Sequence, residues 1–297
     1  MLLAPSLGVA QPLAFPNAPS QCRICCQRND DMREICQNSL PIKPWMEEKT
    51  RRLPGLNPVI AGDWLRVDEV YAAQMAYREE LLDERTGDVY QISKGALPAA
   101  EELLERVLEE VAQKSGYDVQ PKSVTCPDGR VVTIDHENPL STAARLVQVD
   151  LVLMEKVGDA HVLSGAVLCF PASWSLAEKF GRNLFTIHDP VEPYDADVGK
   201  RVQRLFDFIK PEHPMWRANY LIYSNPDLHQ PRREENRRVI DREAALWVRV
   251  ERQCLVRLPK TQAVVFSIHS YVVPIETLSV DETAELQRWN DHNHRAF

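Results

Sequence analysis

Histidine changes charge closest to neutral pH and is the commonest nitrogen ligand for metals. The stretch GRNLFTIHDPVEPYDADVGKRVQRLFDF, starting at Gly181, therefore makes His188 the first residue to weigh. Its imidazole could be a metal or haem-iron ligand, a general base, or an ordinary residue flanking a helix, and for a lone histidine the ordinary role leads. His229, in DLHQP, and His269, in VVFSIHSYVV, are the other two set in informative contexts; His136, His161, His213, His292 and His294 fall in turns or near the C-terminus and read as solvated. Four of the seven cysteines, Cys22, Cys25, Cys26 and Cys36, crowd into QCRICCQRNDDMREIC. CxxC spacing can hold zinc or an iron–sulfur cluster, but no second CxxC and no nearby histidine completes a ligand set. Cys126, Cys169 and Cys254 are scattered, and the last two lie in apolar strands, where a thiol behaves as a small hydrophobe.

Charged side chains also recur inside strand-like runs. Side chains alternate across a strand, so parity sorts them onto two faces. In LWVRVERQCLVRL, Val248, Val250, Cys254, Val256 and Leu258 share one parity with Arg252, while Arg249, Glu251, Gln253 and Arg257 take the other. In VVFSIHSYVV, Ser267, His269 and Tyr271 oppose Phe266, Ile268 and Val272; in WRANYLIY, Arg217, Asn219 and Tyr223 oppose Trp216, Tyr220 and Ile222. Arg252 apart, the three strands thus each bring polar groups to a single parity. A solvated sheet face with cross-strand ion pairs is the leading reading of that pattern, and a polar pocket lined by Arg, Glu, Tyr and His is the functional one.

The elements that must carry these residues follow from periodicity. GDWLRVDEVYAAQMAYREELLDE predicts a helix capped by Asp63, with Val67, Val70, Tyr71 and Met75 on one stripe. LPAAEELLERVLEEVAQKSGY predicts a second, with Pro98 in its first turn and Gly116 after its end. CPDGRVVTID predicts a turn at Asp128-Gly129 feeding a strand, and LVQVDLVLMEKVGDAHVLSGAVLCF a hairpin around Gly158-Asp159. A short helix in PASWSLAEKFG, a longer one in DADVGKRVQRLFDFI, the strand WRANYLIYS, a hairpin turning at 259–262 and a closing helix over 279–289 complete the order. Antiparallel connections of this kind predict an α+β fold, one antiparallel sheet of five strands with helices on one face and additional N-terminal helices. No GxGxxG, P-loop, GxSxG or HExxH occurs.

The 297 residues hold 44% hydrophobic and 26% charged side chains, as in an ordinary globular protein. A formal net charge of −8 argues against nucleic acid as a partner, and no window approaches the roughly 18 apolar residues of a membrane span. The expected location is the cytoplasm. Residues 1–43 carry Pro, Asn, Ser and Cys without periodicity and are expected to be a disordered or over-extended N-terminal segment, with Met46 an alternative start. The organised domain is expected over 44–297, with its core at about 145–275.

Taken in order, LPGLNPVIAGDWLRVDEVYAAQMAYREELL, QVDLVLMEK, VLCFPASWSLAEKFGRNLFTIHDPVEPYDADVGKRVQRLF, WRANYLIYSNPDLHQP and ERQCLVRLPKTQAVVFSIHSYVV resemble the haem-dependent oxidative N-demethylase family, similar to the α subunit of dimethylamine monooxygenase. The resemblance covers roughly residues 50 to 275. It implies a PAS-like fold enclosing a b-type haem that activates O2 and oxidises a methyl group of a small secondary amine, giving a primary amine and formaldehyde. It further implies an NADPH-dependent reductase partner bearing FMN and an iron–sulfur cluster, and a tetrahydrofolate-binding subunit that takes up the formaldehyde. On this reading His188 is the expected proximal ligand, with His229 and His269 as alternatives. Arg182, Arg232 and Arg233 are candidates for the haem propionates, and Arg217, then Tyr223 or Ser267, for charge stabilisation beside the iron. Glu251 is the candidate for holding the amine. A non-catalytic haem-binding PAS module that senses gas or redox state is the alternative. The chain offers no room for an output domain, which favours the enzyme.

Overall fold

The computed structural model describes residues 34–51, 55–188, 196–236, 240–241 and 243–292. Its N-terminal half is built from short elements. Helix α1 (Glu48–Arg51) and strand β1 (Asn57–Pro58) lead into α2 (Tyr71–Glu84), α3 (Thr86–Val89), β2 (Tyr90–Ile92) and α4 (Leu97–Val111). Pro98 occupies the first turn of α4, where its missing N–H costs nothing. Strands β3 (Asp118–Val119), β4 (Ser123–Thr125) and β5 (Val131–Thr133) then pair into a small antiparallel sheet. Its turn closes through Gly129 N–H donating to Cys126 O at 2.9 Å, with Gly129 at φ 83°, a conformation that favours glycine. Helix α5 (Pro139–Leu146) completes this half. The helix expected to start from an Asp63 cap starts later, at Tyr71. Asp63 instead pairs with Arg66 and Arg252, and Asp68 Oδ1 accepts from Val70 N–H at the helix entrance.

The large sheet follows. Strands β6 (Asp150–Val157) and β7 (Ala160–Val167) form the expected hairpin, and β8 (Met215–Tyr223), β9 (Trp247–Arg257) and β10 (Val264–Pro274) come after helices α6 (Leu176–Lys179), α7 (Leu184–His188) and α8 (Ala196–Phe208). The sheet order is β1-β8-β9-β10-β6-β7-β2, every pair antiparallel. The sheet thus has seven strands rather than the five expected, because β1 and β2 pair onto the two outer edges. They are two and three residues long, too short for periodicity to reveal. Helix α9 (Val280–His292) closes the chain with a capping box: Glu282 N–H donates to Ser279 Oγ, and Ser279 N–H to Glu282 Oε2.

Both faces of the sheet are covered. On one, Leu151, Leu153, Val250, Cys254 and Val265 pack against α2, α4 and α5. On the other, Val152, Met154, Leu255, Val264 and Ile268 pack against Leu176, Leu184 and Phe206 of α6, α7 and α8. Residues 35–42, expected to belong to the N-terminal extension, contribute Ile35, Leu40 and Ile42 to the first core, and Gln37 N–H donates to Val272 O at 3.0 Å.

Register settles the strand faces. His269 stands opposite Arg252, whereas Arg217 stands opposite Gln253 and Asn219 opposite Glu251. The polar parity of β10 therefore faces the N-terminal helices, while that of β8 and β9 faces the other way. Nor is the polar face of β9 solvated: Arg249, Glu251, Gln253 and Arg257 are all buried.

Candidate polar site beside a buried histidine

The face that α6 to α8 partly cover has two halves. Its apolar half lies under the helices. Its polar half carries Arg217 and Asn219 from β8, Arg249, Glu251 and Gln253 from β9, Ser270 from β10 and Asp150 from β6, all on one face by register. The chain leaving β7 and the chain leaving β8 close over its end. Ala172 bridges Gln230, Ser173 N–H donates to Gln230 O, and Ser173 Oγ lies 2.9 Å from Tyr223 Oη.

Glu251 is 4% exposed and lies beside Asn219; Gln253 Nε2 donates to its Oε2 at 3.0 Å, while Oε1 lies 3.6 Å from Arg249 and among the described residues makes no hydrogen bond. Burial pushes its carboxyl above the ordinary carboxylate range, partly offset by the Arg249 charge. Arg249 donates to Leu228 O at 2.9 Å, to Phe170 O and to Ser270 Oγ at 3.0 Å. Asp150 accepts from the backbone N–H groups of Cys169 and Phe170, each at 2.9 Å, and pairs with Arg78 of α2 at 2.9 Å, both side chains inaccessible to solvent.

His229 sits in the loop after β8 and is 7% exposed. Its Nδ1 lies 2.7 Å from Cys169 O, and a carbonyl can only accept, so Nδ1 carries the hydrogen. In the neutral imidazole the other ring nitrogen, Nε2, then carries the lone pair, and it is buried and without a hydrogen-bond partner among the described residues. An imidazole oriented through Nδ1–H to a backbone carbonyl, with Nε2 free, is the donor arrangement of a metal-ligating histidine. His161, expected to be solvated, is fully buried too, but its tautomer is the reverse. Gln203 Oε1 accepts from the backbone N–H of His161, so Gln203 Nε2 donates to the ring Nδ1 and the orphaned Nε2 carries the hydrogen.

The other expected site residues divide. Arg217, Glu251, Tyr223 and His229 converge on this side of the sheet. Arg182 is exposed and 3.3 Å from Glu234, and Arg233 is exposed beside Glu235, while Arg232 is half-buried. His188 ends α7, whose start is capped by Asn183 Oδ1 and whose Ile187 carbonyl accepts from Lys179 Nζ at 2.6 Å; the His188 side chain lies outside the described residues. His269 lies on the opposite face, stacked on Tyr271 with centroids 4.5 Å apart, its Nε2 3.1 Å from Asp68 Oδ2. Burial lowers the His269 pKa, partly countered by Asp68. Ser267 is on that face as well, accepting from Trp64 Nε1. An open cleft of about 510 Å³ lies there, lined in part by Arg66, Asp68, Lys114 and Tyr271.

Arg249 and Asp150 carry no role in the sequence reading. Their signal is present in it, an arginine inside LWVRV and an aspartate inside QVDLVLM, but which backbone groups they reach depends on loops that periodicity does not describe. Of the clustered cysteines only Cys36 falls among the described residues; it is buried and burial pushes its thiol up to about 12. Among the described residues no group of three or more His, Cys, Asp or Glu side chains is placed to hold a metal ion. A single axial imidazole needs no such cluster.

A family model described as haem-dependent oxidative N-demethylase, alpha subunit-like matches residues 55–290. The chain belongs to that family. The family is one of oxidoreductases by its description, and the description as an α subunit implies a multi-subunit enzyme. The matched span takes in the whole polar site, from Arg78 on α2 to Ser270 on β10, and excludes the cysteine cluster. Among the described residues no helix is long and apolar enough to cross a membrane.

Proposed function

We propose that the polar half of the β8–β9–β10 face is the site of a haem-dependent oxidative N-demethylation, with His229 as the axial ligand of a b-type haem. The observation that carries this reading is the buried, unpartnered Nε2 of His229, held in the ligating tautomer by Cys169 O. His188 remains a second candidate through its place on α7. The proposed substrate is a small secondary amine of the dimethylamine type. The five central strands, with short helices following the second of them, support a PAS-like reading of the core.

When bound, haem iron supplies the activation of O2 and the oxidation of the methyl carbon next to nitrogen. The overall reaction consumes one amine, one O2, two electrons and two protons; one oxygen atom leaves in formaldehyde and the other as water. The electrons come from an NADPH-dependent reductase partner carrying FMN and an iron–sulfur cluster, and the formaldehyde passes to a tetrahydrofolate-binding subunit.

The chain's own residues position and charge this chemistry. Glu251 Oε1, buried and without a hydrogen-bond partner, accepts from an amine N–H. Arg217 provides a permanent positive charge on the same face, suited to negative charge that develops during the reaction, with the Tyr223 hydroxyl at its edge. Nine-tenths burial of His229 and Glu251 keeps bulk water from both.

The test is formaldehyde release from dimethylamine by haem-loaded protein with a surrogate ferredoxin-type reductase and NADPH. Formaldehyde formed in step with NADPH consumption supports the reading. A haem-loaded protein that is reduced and binds O2 yet releases no formaldehyde from dimethylamine would be the sensor alternative.

A further inference from the structure

The geometry points to Arg249 as the residue that positions His229, an inference that rests on the reading of His229 as axial ligand. Among the described residues the His229 imidazole is held by one hydrogen bond, to Cys169 O, while its backbone N–H donates to Asp227 Oδ1, and two loops must stay in register for the ring's bond to exist. Arg249 joins those loops. One terminal nitrogen donates to Leu228 O, the carbonyl preceding His229; the other donates to Phe170 O, the carbonyl following Cys169. It also bonds Ser270 Oγ at 3.0 Å, which fixes the guanidinium against β10. The planar fork of arginine reaches two carbonyls on different segments at once, which the single point charge of lysine matches only in part. Arg249 is 1% exposed, and among the described residues its one carboxylate contact is Glu251 at 3.6 Å, longer than a hydrogen bond, so its hydrogen bonds go to the two loops that hold His229 and to Ser270.

Asp150 holds the Cys169 side of the same joint from below, through the N–H groups of Cys169 and Phe170, and Arg78 fixes Asp150. The carbonyl that orients His229 is thus gripped by Asp150 and Arg249 at the peptide units around it. Outer-sphere partners of a metal-ligating histidine typically change metal affinity by about 10- to 100-fold when removed. Arg249→Met is expected to weaken haem binding within that range and to shift the haem reduction potential, with Arg249→Lys recovering part of both.

The deciding experiment reads the imidazole in the haem-free protein by 15N-detected NMR, for the wild type, Arg249→Met, Arg249→Lys and Ser270→Ala, alongside hemin titration of each and of His229→Ala. The wild type is expected to show a single tautomer protonated at Nδ1, Arg249→Met a mixture, and Arg249→Lys a partial return. Should Arg249→Met fail to fold, Ser270→Ala, which loosens the guanidinium without removing it, is expected to show a smaller mixing of tautomers. A His229 tautomer unchanged in the folded variants, with hemin affinity also unchanged, overturns the positioning role even where His229→Ala abolishes binding. A tautomer that responds to Arg249 while His229→Ala still binds hemin normally keeps the positioning role and removes the ligand assignment instead.

Discussion

At the residue scale the buried carboxyl of Glu251 connects stability to chemistry. Burial raises its pKa in the folded protein above the unfolded value of about 4.3. Its contribution to stability is therefore complete below that value and is lost as pH rises through the folded one. Relative to wild type, Glu251→Gln is expected to gain stability progressively from about pH 4 upward and to level off above the folded pKa, as urea unfolding at a series of pH values would show. A difference that does not vary with pH would contradict a buried, proton-accepting Glu251. In turnover the same substitution removes a charged acceptor for the amine N–H, and kcat/KM is expected to fall about 10- to 100-fold, for the loss of roughly 1.5–3 kcal/mol. These residue types were legible in the sequence, since Arg217, Tyr223, His229 and Glu251 all stand where strand parity put them or in the expected loop. Orientation was not: the tautomers of His161 and His229 are set by Gln203 and by Cys169 O, contacts across 42 and 60 residues that no local pattern encodes.

At the element scale, the pair Arg78–Asp150 couples α2 to β6 and to the chain after β7. Both side chains are out of solvent, so removing Arg78 leaves the buried Asp150 charge without its ion partner, held by the Cys169 and Phe170 N–H groups. Arg78→Met is expected to cost about 3–5 kcal/mol in chemical denaturation, more than Asp150→Asn combined with Arg78→Met costs per substitution. A loss below about 1 kcal/mol would mean that water or another group already compensates Asp150. The sheet itself has a close approach at Gly165 on β7, where a Cβ would meet Leu153 Cδ1 at 3.2 Å and Ile92 and Leu140 side chains at 3.3 Å. Gly165→Val is expected to destabilise by about 1–3 kcal/mol through overpacking, measurable as a lower urea midpoint. The long elements follow from their periods, because α4, β6, β7, β9 and β10 each bury an apolar stripe or alternation long enough to count. The relative facing of β9 and β10 does not, because a strand pattern fixes which residues share a side but not which side the partner presents. That is why His269 and Ser267, grouped with the pocket by their polar parity, lie behind the sheet, on Asp68 and Trp64.

At the scale of the whole molecule, one sheet separates two environments. The side facing the N-terminal helices buries the larger core together with the His269–Asp68 pair, and the other side joins a smaller apolar cluster to the polar site around His229. Burial holds the pKa of both His161 and His269 below the ordinary histidine value, so the stability they confer is complete above about pH 6.5 and is lost as pH falls through their folded values. The protein is expected to lose stability on mild acidification, with the double variant His161→Gln, His269→Gln showing a flatter profile between about pH 4 and 6.5. An unaltered profile in the double variant would assign the acid sensitivity elsewhere. The central claim, that this fold holds haem through His229, is tested most directly by the UV–visible spectrum of protein produced with added haem precursor, oxidised and after dithionite, for wild type, His229→Ala and His188→Ala. The account predicts a Soret band that shifts on reduction in the wild type and in His188→Ala, and that is lost or altered in His229→Ala. A colourless wild type that takes up no hemin would contradict the haem reading, and a spectrum altered only by His188→Ala would move the ligand to α7.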